Sequence, residues 1–498
     1  MLACVNRMLH ESLKNLGRAY DRTVEFRAER RVFLVGGAIR DALLDREPQD
    51  FDFAVSGSGV ELAAELSRRL RAKLVVLSEE DDEARVVWHS RTLDFNGFGG
   101  GTIQDDLARR DFTINAMAAE LTETGLGELV DPFSGRRDLE GRVLKPVSER
   151  SLPADPLRLL RAYRFALELG MEPHKAVDEQ GAVVSFKKVA PERIGAEMLR
   201  IMESPGSHRY LERLYEMDRL IDILPDLAPL LEDTKLRRHT FKTYFKIEEL
   251  VSGESFFSRF EPEWQAYFER WGVPADKESR DQRTEGSSAE EKDVDEPGLP
   301  FRKAVLKLSG LLHDIAKPQT RFVTTGGEMH FYGHDTLGSR VAGKMARDRL
   351  RFSRAQVKMV ETQVREHMRL HLLATNPDLT DRAIRRFFRD LGEEAFGVMI
   401  LCYADGWATA GHTSHLEDTI TRMIEQKRAE DAKLRIERFV TGHDLIALGL
   451  TPGPVFKVIL RELEDLQLEG TLGSREEAID YLKLNLPGLT ARADEERR

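Results

Sequence analysis

The chain has 498 residues, of which 41% are hydrophobic and 32% are charged, and its formal net charge is −11 at pH 7. This length predicts about three domains. The negative charge argues against a surface that is basic throughout, although a local basic face for nucleic acid stays open. The only cysteines are Cys4 and Cys402, which excludes a disulfide framework and a cysteine-based zinc site.

Neither a secretion signal nor a membrane span is expected. Residues 1–10 lack a long apolar stretch, and Glu11 and Lys14 follow soon after, unlike a secretory signal. No apolar run reaches the roughly 18 residues that a membrane-spanning helix needs. We therefore expect a cytoplasmic protein without a membrane partner, and the sequence leaves its oligomeric state open.

Residues 1–150 predict an α/β head with a mixed sheet. Segments of strand composition occur at 32–36, 50–55, 74–78, 85–89 and 91–95. Helices are predicted over 1–30, from Arg40 onward, and over 59–71, where leucines recur every four residues on one face. Alternation of the two kinds of segment is typical of an α/β domain.

From Asp155 onward the pattern is helical, with apolar residues at three- and four-residue spacing. We expect a helical neck over 151–232, a second helical domain over 233–420, and a C-terminal helical region over 421–498. Residues 276–296 interrupt the second domain with many charges and no aromatic residue. Such a segment cannot bury enough apolar surface to offset the entropy of ordering, so we predict a disordered insertion.

The most informative pattern in the head is the pair Asp50 and Asp52. In a strand, residues two apart project from the same face, so both carboxylates share one side while Phe51, Phe53 and Val55 point into a core. Two such carboxylates can share divalent metals that bind a nucleoside triphosphate. A bare Asp-x-Asp also fits two solvated acids at a strand end, so the neighbouring motifs decide between these interpretations.

Two further motifs lie nearby in the head. Gly36-Gly37 precedes the helix that carries Arg40, and glycines before a helix let backbone N–H groups approach phosphate. The segment 105–118 is a charged run that merges into an apolar helix. Within it, Asp111 and Asn115 are expected one helical turn apart on one face.

A third motif begins the neck. Asp155, Arg158 and Arg161 fall at three-residue steps, which predicts that they lie along one helix face. An Asp acceptor and an Arg donor fork can imitate a base-pairing partner, because they present complementary hydrogen-bonding groups. Basic residues then recur at Lys187, Lys188 and later positions, and such clusters can follow an RNA backbone.

In this order, the motifs closely resemble those of the class II tRNA nucleotidyltransferase and bacterial poly(A) polymerase family, over roughly residues 30–220. These are polymerase-β-like nucleotidyltransferases. The resemblance implies an α/β head followed by an all-α body, and template-independent addition of CMP and/or AMP from CTP and/or ATP to the 3′ end of tRNA. Poly(A) polymerase is the closest alternative.

The resemblance also implies roles for individual residues. Asp50 and Asp52 would bind two Mg²⁺ ions, and Asp94 on a nearby predicted strand would supply a third catalytic carboxylate. Asp155 and Arg158 would read the base edge of the incoming nucleotide. The full set of expected nucleotide contacts comprises Gly36, Gly37, Arg40, Arg110, Asp111, Asn115, Asp155, Arg158, Arg161 and Arg164.

One position departs from the family pattern. The nucleotide-reading motif commonly has Glu before its Asp, where this chain has Ala154. The glycine-rich loop 97–101 lies where the family keeps a flexible loop that lets specificity switch from C to A. Full CCA addition, addition of part of CCA, and poly(A) synthesis therefore all stay open.

A second constellation occurs in the domain 233–420. His313-Asp314 ends an apolar helix, and His and Asp are suitable ligands for Mg²⁺ or a divalent transition metal. The ordered set resembles the HD phosphohydrolase superfamily over roughly residues 235–410. Its ligands would be His239, His313, Asp314, His334, His367 and Asp405.

Two interpretations of this set compete. In one it hydrolyses a phosphoester, and that hydrolysis could even be the main activity of the chain; in the other it is a retained scaffold for an RNA-binding body. The remaining histidines nearby are expected to be ordinary polar residues, namely His330, His371, His412 and His415.

Overall fold

The computed structural model describes residues 30–48, 50–89, 91–98, 101–122, 125–268, 301–376, 379–433, 439–450 and 453–495. The helix predicted over 1–30 lies outside these residues except for Arg30, and the predicted insertion 276–296 lies wholly outside them. Within the described residues, a mixed sheet at the head is followed by a helical body, which confirms the predicted fold class.

The head is built on a seven-stranded sheet with the order β3-β4-β5-β2-β1-β6-β7. β2 and β5 are parallel, and the other neighbouring strands are antiparallel. The strands are β1 (Val32–Val35), β2 (Asp50–Val55), β3 (Lys73–Ser78), β4 (Glu83–Trp88), β5 (Arg91–Gly97), β6 (Ala118–Thr122) and β7 (Gly125–Val130). The helices of the head are α1 (Gly37–Leu43), α2 (Gly59–Leu70), α3 (Ile103–Ala108) and α4 (Gly135–Glu140).

The alternation of side chains along β2 is as predicted. Phe51, Phe53 and Val55 are buried in the core beneath the sheet. Ala54 packs in a smaller cluster on the opposite face, the face from which Asp50 and Asp52 project. The buried aromatic residues thus hold the two carboxylates at the surface of the sheet.

The helix predicted through 105–118 is wrong. α3 ends at Ala108, Phe112 has an extended backbone, and a short 3-10 helix covers Thr113–Asn115 before the chain enters β6. The physical reason is tertiary: Phe112 forms an isolated β-bridge with Pro146, and the Thr113 N–H donates to the Lys145 carbonyl. These contacts pull the backbone out of a helix.

The body consists mainly of helices. Those of the neck are α5 (Ser151–Ala154), α6 (Leu157–Leu169), α7 (Lys175–Gly181), α8 (Pro191–Glu203), α9 (Ser207–Glu216), α10 (Arg219–Ile223) and α11 (Ala228–Glu232). The second domain contains α12 (Thr234–Ser252), α13 (Glu261–Phe268), α14 (Arg302–Leu312), α15 (His334–Arg349), α16 (Arg354–Glu366), α17 (Arg369–Ala374), α18 (Asp381–Leu391), α19 (Ala395–Ala410) and α20 (Ser414–Lys433). The tail contains α21 (Gly442–Ala447), α22 (Pro454–Leu468) and α23 (Arg475–Glu495).

Smaller elements complete the body. Short 3-10 helices cover Pro225–Leu227, Phe256–Arg259 and Gly392–Glu394. Two pairs of short strands are β8 (Val143–Leu144) with β9 (Glu172–Pro173) and β10 (Phe322–Val323) with β11 (Met329–His330). Among the described residues, no helix is both long and apolar enough to cross a membrane.

Asp155 does not lie on the helix face that its spacing predicted. Its backbone is extended (φ −142°, ψ 104°), and α6 begins only at Leu157. Pro156 explains the difference, because the residue before a proline is disfavoured in the α conformation. Asp155 therefore precedes the helix that carries Arg158 and Arg161.

Besides the small cluster that contains Ala54, buried side chains form three clusters among the described residues. One runs without interruption from the head sheet through the neck into α14, α15 and α16. A second fills the space between α12, α19 and α20, and a third is confined to the tail after residue 439. Because α20 packs in the second cluster, we propose that the C-terminal unit begins after Lys433 instead of at 421.

Candidate active sites

Three carboxylates meet on one face of the head sheet. Asp52 on β2 lies beside Asp94 on the parallel strand β5, and Asp50 projects from the same face of β2. Arg85, opposite Asp94 on β4, binds that carboxylate in bidentate fashion at 2.7 and 2.8 Å. The Thr92 hydroxyl donates to Asp50. The sheet register thus brings together the three acids that the sequence proposed as catalytic.

The electrostatics of this face favour a bound cation. Burial raises the pKa of Asp52 above its ordinary value, and the negative charges of Asp94 and Asp50 raise it further, while Arg110 lowers it. A divalent cation would relieve this repulsion, and carboxylate oxygens are the ligands that Mg²⁺ prefers. The residues present therefore fit a metal site.

Gly36 allows the turn between β1 and α1 to approach these acids. Its φ is +72°, and a Cβ at this position would lie 2.7 Å from an Arg110 guanidinium nitrogen and 3.2 Å from Asp52 Oδ2. A side chain here would collide with both groups, and the backbone conformation itself favours glycine. Gly37 begins the helix that carries Arg40.

A chain of polar contacts joins the turn to the neck. Arg40 donates to Asn115 Oδ1 at 2.8 Å, and Asn115 donates to Asp111 Oδ1 at 3.0 Å. Arg161 then donates to Asp111 Oδ2 from Nε at 3.0 Å and from Nη2 at 2.7 Å. Asp111 and Asn115 therefore meet as the spacing proposed, although no α-helix holds them.

Asp111 is ionised within this chain of contacts. Burial alone would raise the pKa of its carboxyl group, but the charge of Arg161 lowers it. Hydrogen bonds from Asn115, Arg161 and the Phe112 N–H act in the same direction. The net pKa lies below the ordinary range, so a buried carboxylate and a half-buried arginine form a stable pair between head and neck.

Asp155 and Arg158 both have protein partners in this structure. Asp155 Oδ1 accepts the Leu157 N–H at 3.1 Å, and its Oδ2 accepts from Arg193 at 2.8 Å. The Arg158 guanidinium donates to the main-chain carbonyls of Arg109, Arg110 and Ser151. Arg193 lies in the first turn of α8, and its contact with Asp155 was not foreseen from the sequence.

A cleft of about 790 Å³ lies beside the acids, large enough for a nucleotide. Arg164, one of the expected nucleotide contacts, turns away from it: the side chain is buried and pairs with Glu197 and Glu168, both at 2.7 Å. Of the expected nucleotide contacts, those that line the cleft are Arg110, Asp111, Asp155, Arg158 and Arg161, and Asp52 of the carboxylate set lines it as well.

The second candidate site is a buried cluster of histidines around Asp314. Asp314 Oδ2 faces His313 Nε2 at 3.2 Å and His239 Nε2 at 3.4 Å. Its Oδ1 faces His334 Nε2 at 3.6 Å and His367 Nε2 at 3.7 Å. The cluster therefore contains two groups of possible ligands that share one carboxylate.

The remaining contacts of these histidines resemble those of metal ligands. His313, His334 and His367 each place Nδ1 within 2.7–2.8 Å of a main-chain carbonyl, which leaves Nε2 directed into the cluster. Ligating histidines characteristically use the other ring nitrogen in this way. Both oxygens of Asp314 are buried without a hydrogen-bond partner of good geometry, so the residues present fit a divalent metal.

The charges within the cluster are strongly coupled. Burial lowers the pKa of His313, but Asp314 and Asp405 raise it to about 10. Burial and the positive charge of His313 lower the pKa of His367 to about 4. Burial raises the pKa of Asp314, but His313 and Lys317 hold it below its ordinary range.

The structure adds two residues that sequence reasoning did not assign. Lys317 Nζ lies 2.6 Å from Asp314 Oδ2, and His371, expected to be ordinary, places Nε2 3.0 Å from Asp405 Oδ2. Lys317 follows the proposed ligand Asp314 by three residues, and His371 follows the proposed ligand His367 by four. That spacing was the available signal.

Comparison with known families agrees with this arrangement. "Poly A polymerase head domain" matches residues 32–100 and 95–145, "Probable RNA and SrmB- binding site of polymerase A" matches 184–231, and "HD domain" matches 287–408. Nucleotidyltransferase and HD families are metal-dependent. The solved Thermotoga maritima CCA-adding enzyme complexed with tRNA is 19% identical, with a TM-score of 0.63, and the match covers 97% of this chain and 98% of that one. It shares the fold.

Two curated relatives match nearly the whole chain. The CC-adding tRNA nucleotidyltransferase of Thermus thermophilus is 30% identical over 468 residues, covering 90% of this chain and 92% of the relative. The A-adding tRNA nucleotidyltransferase of Deinococcus radiodurans is 30% identical over 464 residues, covering 90% and 94%. The poly(A) polymerase alternative is not favoured. This chain belongs to the tRNA nucleotidyltransferase family, and it is a nucleotidyltransferase that also carries an HD domain.

Proposed function

We propose that the chain adds CMP and/or AMP to the 3′ end of tRNA without a template, using CTP and/or ATP. The observation that carries this proposal is the meeting of Asp50, Asp52 and Asp94 beside an arginine-lined cleft. The names of the full-length relatives support tRNA as the acceptor.

Each part of the head has a role in this proposal. Asp50 and Asp52 would hold two Mg²⁺ ions, and these ions, when bound, would stabilise both the attacking and the leaving oxygens of an in-line displacement. The Gly36 turn and Arg40 hold the triphosphate, and Arg110 lies beside Gly36 and interacts with Asp52. Asp94 completes the carboxylate set and is itself oriented by Arg85.

Recognition of the base is assigned to the start of α6. Asp155 and Arg158 provide an acceptor and a donor fork at the cleft, as complementary readout of a base edge requires. Their present contacts with Arg193 and with main-chain carbonyls set their positions. Arg110, Asp111 and Asn115 are assigned to the sugar and phosphates of the incoming nucleotide.

We further propose that the chain adds only part of CCA. Ala154 replaces the Glu that commonly precedes the base-reading Asp, and the CC-adding and A-adding relatives are equally similar to this chain at 30%. Incubating tRNA transcripts that end before CC, after CC and after CCA with each nucleoside triphosphate separately, and counting the residues added, identifies the step. Unlimited addition of A, or full CCA synthesis, would contradict this proposal.

The carboxylate set is tested by Asp52→Ala. Loss of a metal-binding carboxylate should reduce incorporation of labelled nucleotide into tRNA at least about a thousand-fold, because the stabilisation of the developing charge is removed. Glu80→Gln is the matched control, since Glu80 lines the same cleft from the turn between β3 and β4, and it should keep most activity. An Asp52→Ala protein as fast as wild type would refute the site.

The buried histidine cluster supports a second activity, the metal-dependent hydrolysis of a phosphoester. The observation that favours it is the convergence of four imidazole Nε2 atoms on the two oxygens of Asp314. His239, His313, Asp314, His334, His367 and Asp405 are the proposed ligands. A bound divalent cation would polarise the phosphoester and lower the pKa of its own water.

Metal removal tests this site without relying on turnover. A ligand that binds only the folded state raises stability in proportion to the logarithm of its concentration. After chelation, adding Mn²⁺ or Ni²⁺ should therefore raise the Tm of wild type by more than that of His313→Ala, in which only the carboxylates of the head can still bind the metal. His412→Ala, which removes an exposed histidine, should respond like wild type. An equal response in all three proteins would place the metal elsewhere and reject this cluster.

A further inference from the structure

The hairpin formed by β10 and β11 carries an unusual concentration of exposed aromatic rings. Phe322 lies opposite His330 in the register of the two strands. The His330 ring stacks on that of Tyr332, with centroids 5.2 Å apart and an interplanar angle of 11°. Tyr332 is 72% exposed and Phe322 is 56% exposed. These three residues are called the aromatic hairpin face.

The hairpin is attached at both ends to elements that carry proposed metal ligands. At its start, Arg321 pairs with Asp233, the residue that caps α12, the helix of His239. At its end, the Phe331 carbonyl lies 2.7 Å from His334 Nδ1. Tyr332 is only two residues before His334. The aromatic hairpin face is therefore adjacent to the histidine cluster in both sequence and structure.

The other side of the hairpin is also connected to the cluster. Lys317 Nζ lies 5.5 Å from the centroid of the Phe331 ring and 2.6 Å from Asp314 Oδ2. In addition, Lys235 and Arg238 are exposed on the first turns of α12. Cationic side chains thus occur on the elements to which the aromatic hairpin face is attached, as a phosphate-bearing ligand would require.

Exposed rings next to cationic groups suit a nucleobase joined to a phosphate. Every base has a π-face, so aromatic side chains bind single-stranded nucleic acid by stacking with little dependence on sequence. We propose that the aromatic hairpin face binds the base of the last nucleotide of an RNA 3′ end and directs its terminal phosphoester to the histidine cluster. The inference rests on the proposed hydrolase activity of that cluster.

Binding is tested with the full chain and a short single-stranded RNA whose 3′-terminal base is 2-aminopurine. Stacking quenches this fluorophore, so the titration reports base binding without any turnover. Tyr332→Ala should weaken RNA binding on the order of ten-fold. Tyr332→Phe, which keeps the aromatic ring, should bind the RNA as tightly as wild type. The surface control is Leu484→Ala, because Leu484 is 82% exposed in the tail.

Kinetics separate this inference from the hydrolase proposal. Tyr332→Ala should raise KM for a nucleoside 2′,3′-cyclic phosphate, yet leave hydrolysis of a cyclic phosphate without a base unchanged. If wild type hydrolyses neither compound but Tyr332→Ala still loses RNA binding, the hydrolase proposal fails and the base-binding face stands. Equal RNA affinity of Tyr332→Ala and wild type would overturn the inference. So would a loss of self-association in the variant without a loss of RNA binding, because the face would then be a contact between copies.

Discussion

At the scale of single residues, the Arg161–Asp111 pair has the clearest consequence. Arg161 makes two hydrogen bonds to one oxygen of a buried carboxylate, and the other oxygen of Asp111 accepts from Asn115. The arginine was expected to contact the nucleotide. Its position shows that it also fixes Asp111, and through Asn115 it fixes Arg40.

Replacing Arg161 by Met should lower the free energy of unfolding by about 1.5–3 kcal/mol at pH 7, because it removes charge-assisted bonds from a buried carboxylate. The folded-state pKa of Asp111 is lowered, so the pair stabilises the protein above the ordinary carboxyl pKa of about 4 and loses this effect as pH falls further. The difference between wild type and Arg161→Met should thus shrink below pH of about 4.

Urea unfolding at pH 7 and at low pH measures this difference. The double variant Arg161→Met/Asp111→Asn is the control, since it removes the buried charge together with its partner and should recover much of the lost stability. A loss of stability that does not change with pH, or that the double variant does not reduce, would show that the charge of Asp111 is not its cause.

Other residues of the head show which features of the site can be predicted from the sequence alone. Asp50 and Asp52 could be placed on one face because strand alternation is a local rule. The contact between Arg193 and Asp155 joins α8 to the residue before α6, and the pairing of Arg85 with Asp94 depends on which strand lies next to β5. Such contacts are decided by tertiary packing, which a spacing within one segment does not contain.

At the scale of elements, the predicted strands of the head were largely right. β2 and β5 have short apolar runs with regular alternation, and α2 has one apolar face, so local pattern and tertiary packing agree there. The stretch from Phe112 to β6 was predicted as a helix, but a short apolar run is compatible with a helix and with an extended backbone alike. A bridge to Pro146 decided the outcome.

The start of α6 is a case in which a local signal was present but was not used. Three-residue spacing placed Asp155 on the helix, whereas Pro156 disfavours the α conformation at the residue before it. The extended Asp155 can therefore accept the Leu157 N–H at the start of α6 and still reach Arg193. Pro156 thus predicts the extended backbone of Asp155, which the spacing of the charged residues does not.

At the scale of the whole molecule, the tail is joined to the body by a buried ion network. The tail has its own small core, while Arg385 of α18 reaches Glu430 of α20 at 3.0 Å, Asp465 of α22 at 3.2 Å and Glu469, directly after α22, at 2.6 Å. One guanidinium group, 7% exposed, thus links three carboxylates. Loss of the Arg385 guanidinium group should therefore destabilise the tail more than the head.

Arg385→Met should destabilise the docking of α22 by about 3 kcal/mol, because Glu430 and Asp465 stay buried without their main cation. Amide hydrogen exchange in α22 should then be about a hundred-fold faster, with the head sheet unchanged. Arg382→Met is the matched control: Arg382 lies on the same helix and pairs with Glu462 of α22, but its side chain is 54% exposed, so its loss should cost at most about 1 kcal/mol.

Added salt provides a second measurement. It should reduce the stability difference between wild type and Arg382→Met and leave that between wild type and Arg385→Met largely intact, since screening acts mainly on exposed charges. Equal exchange in the two variants would mean that apolar contacts, and not the buried network, hold the tail in place.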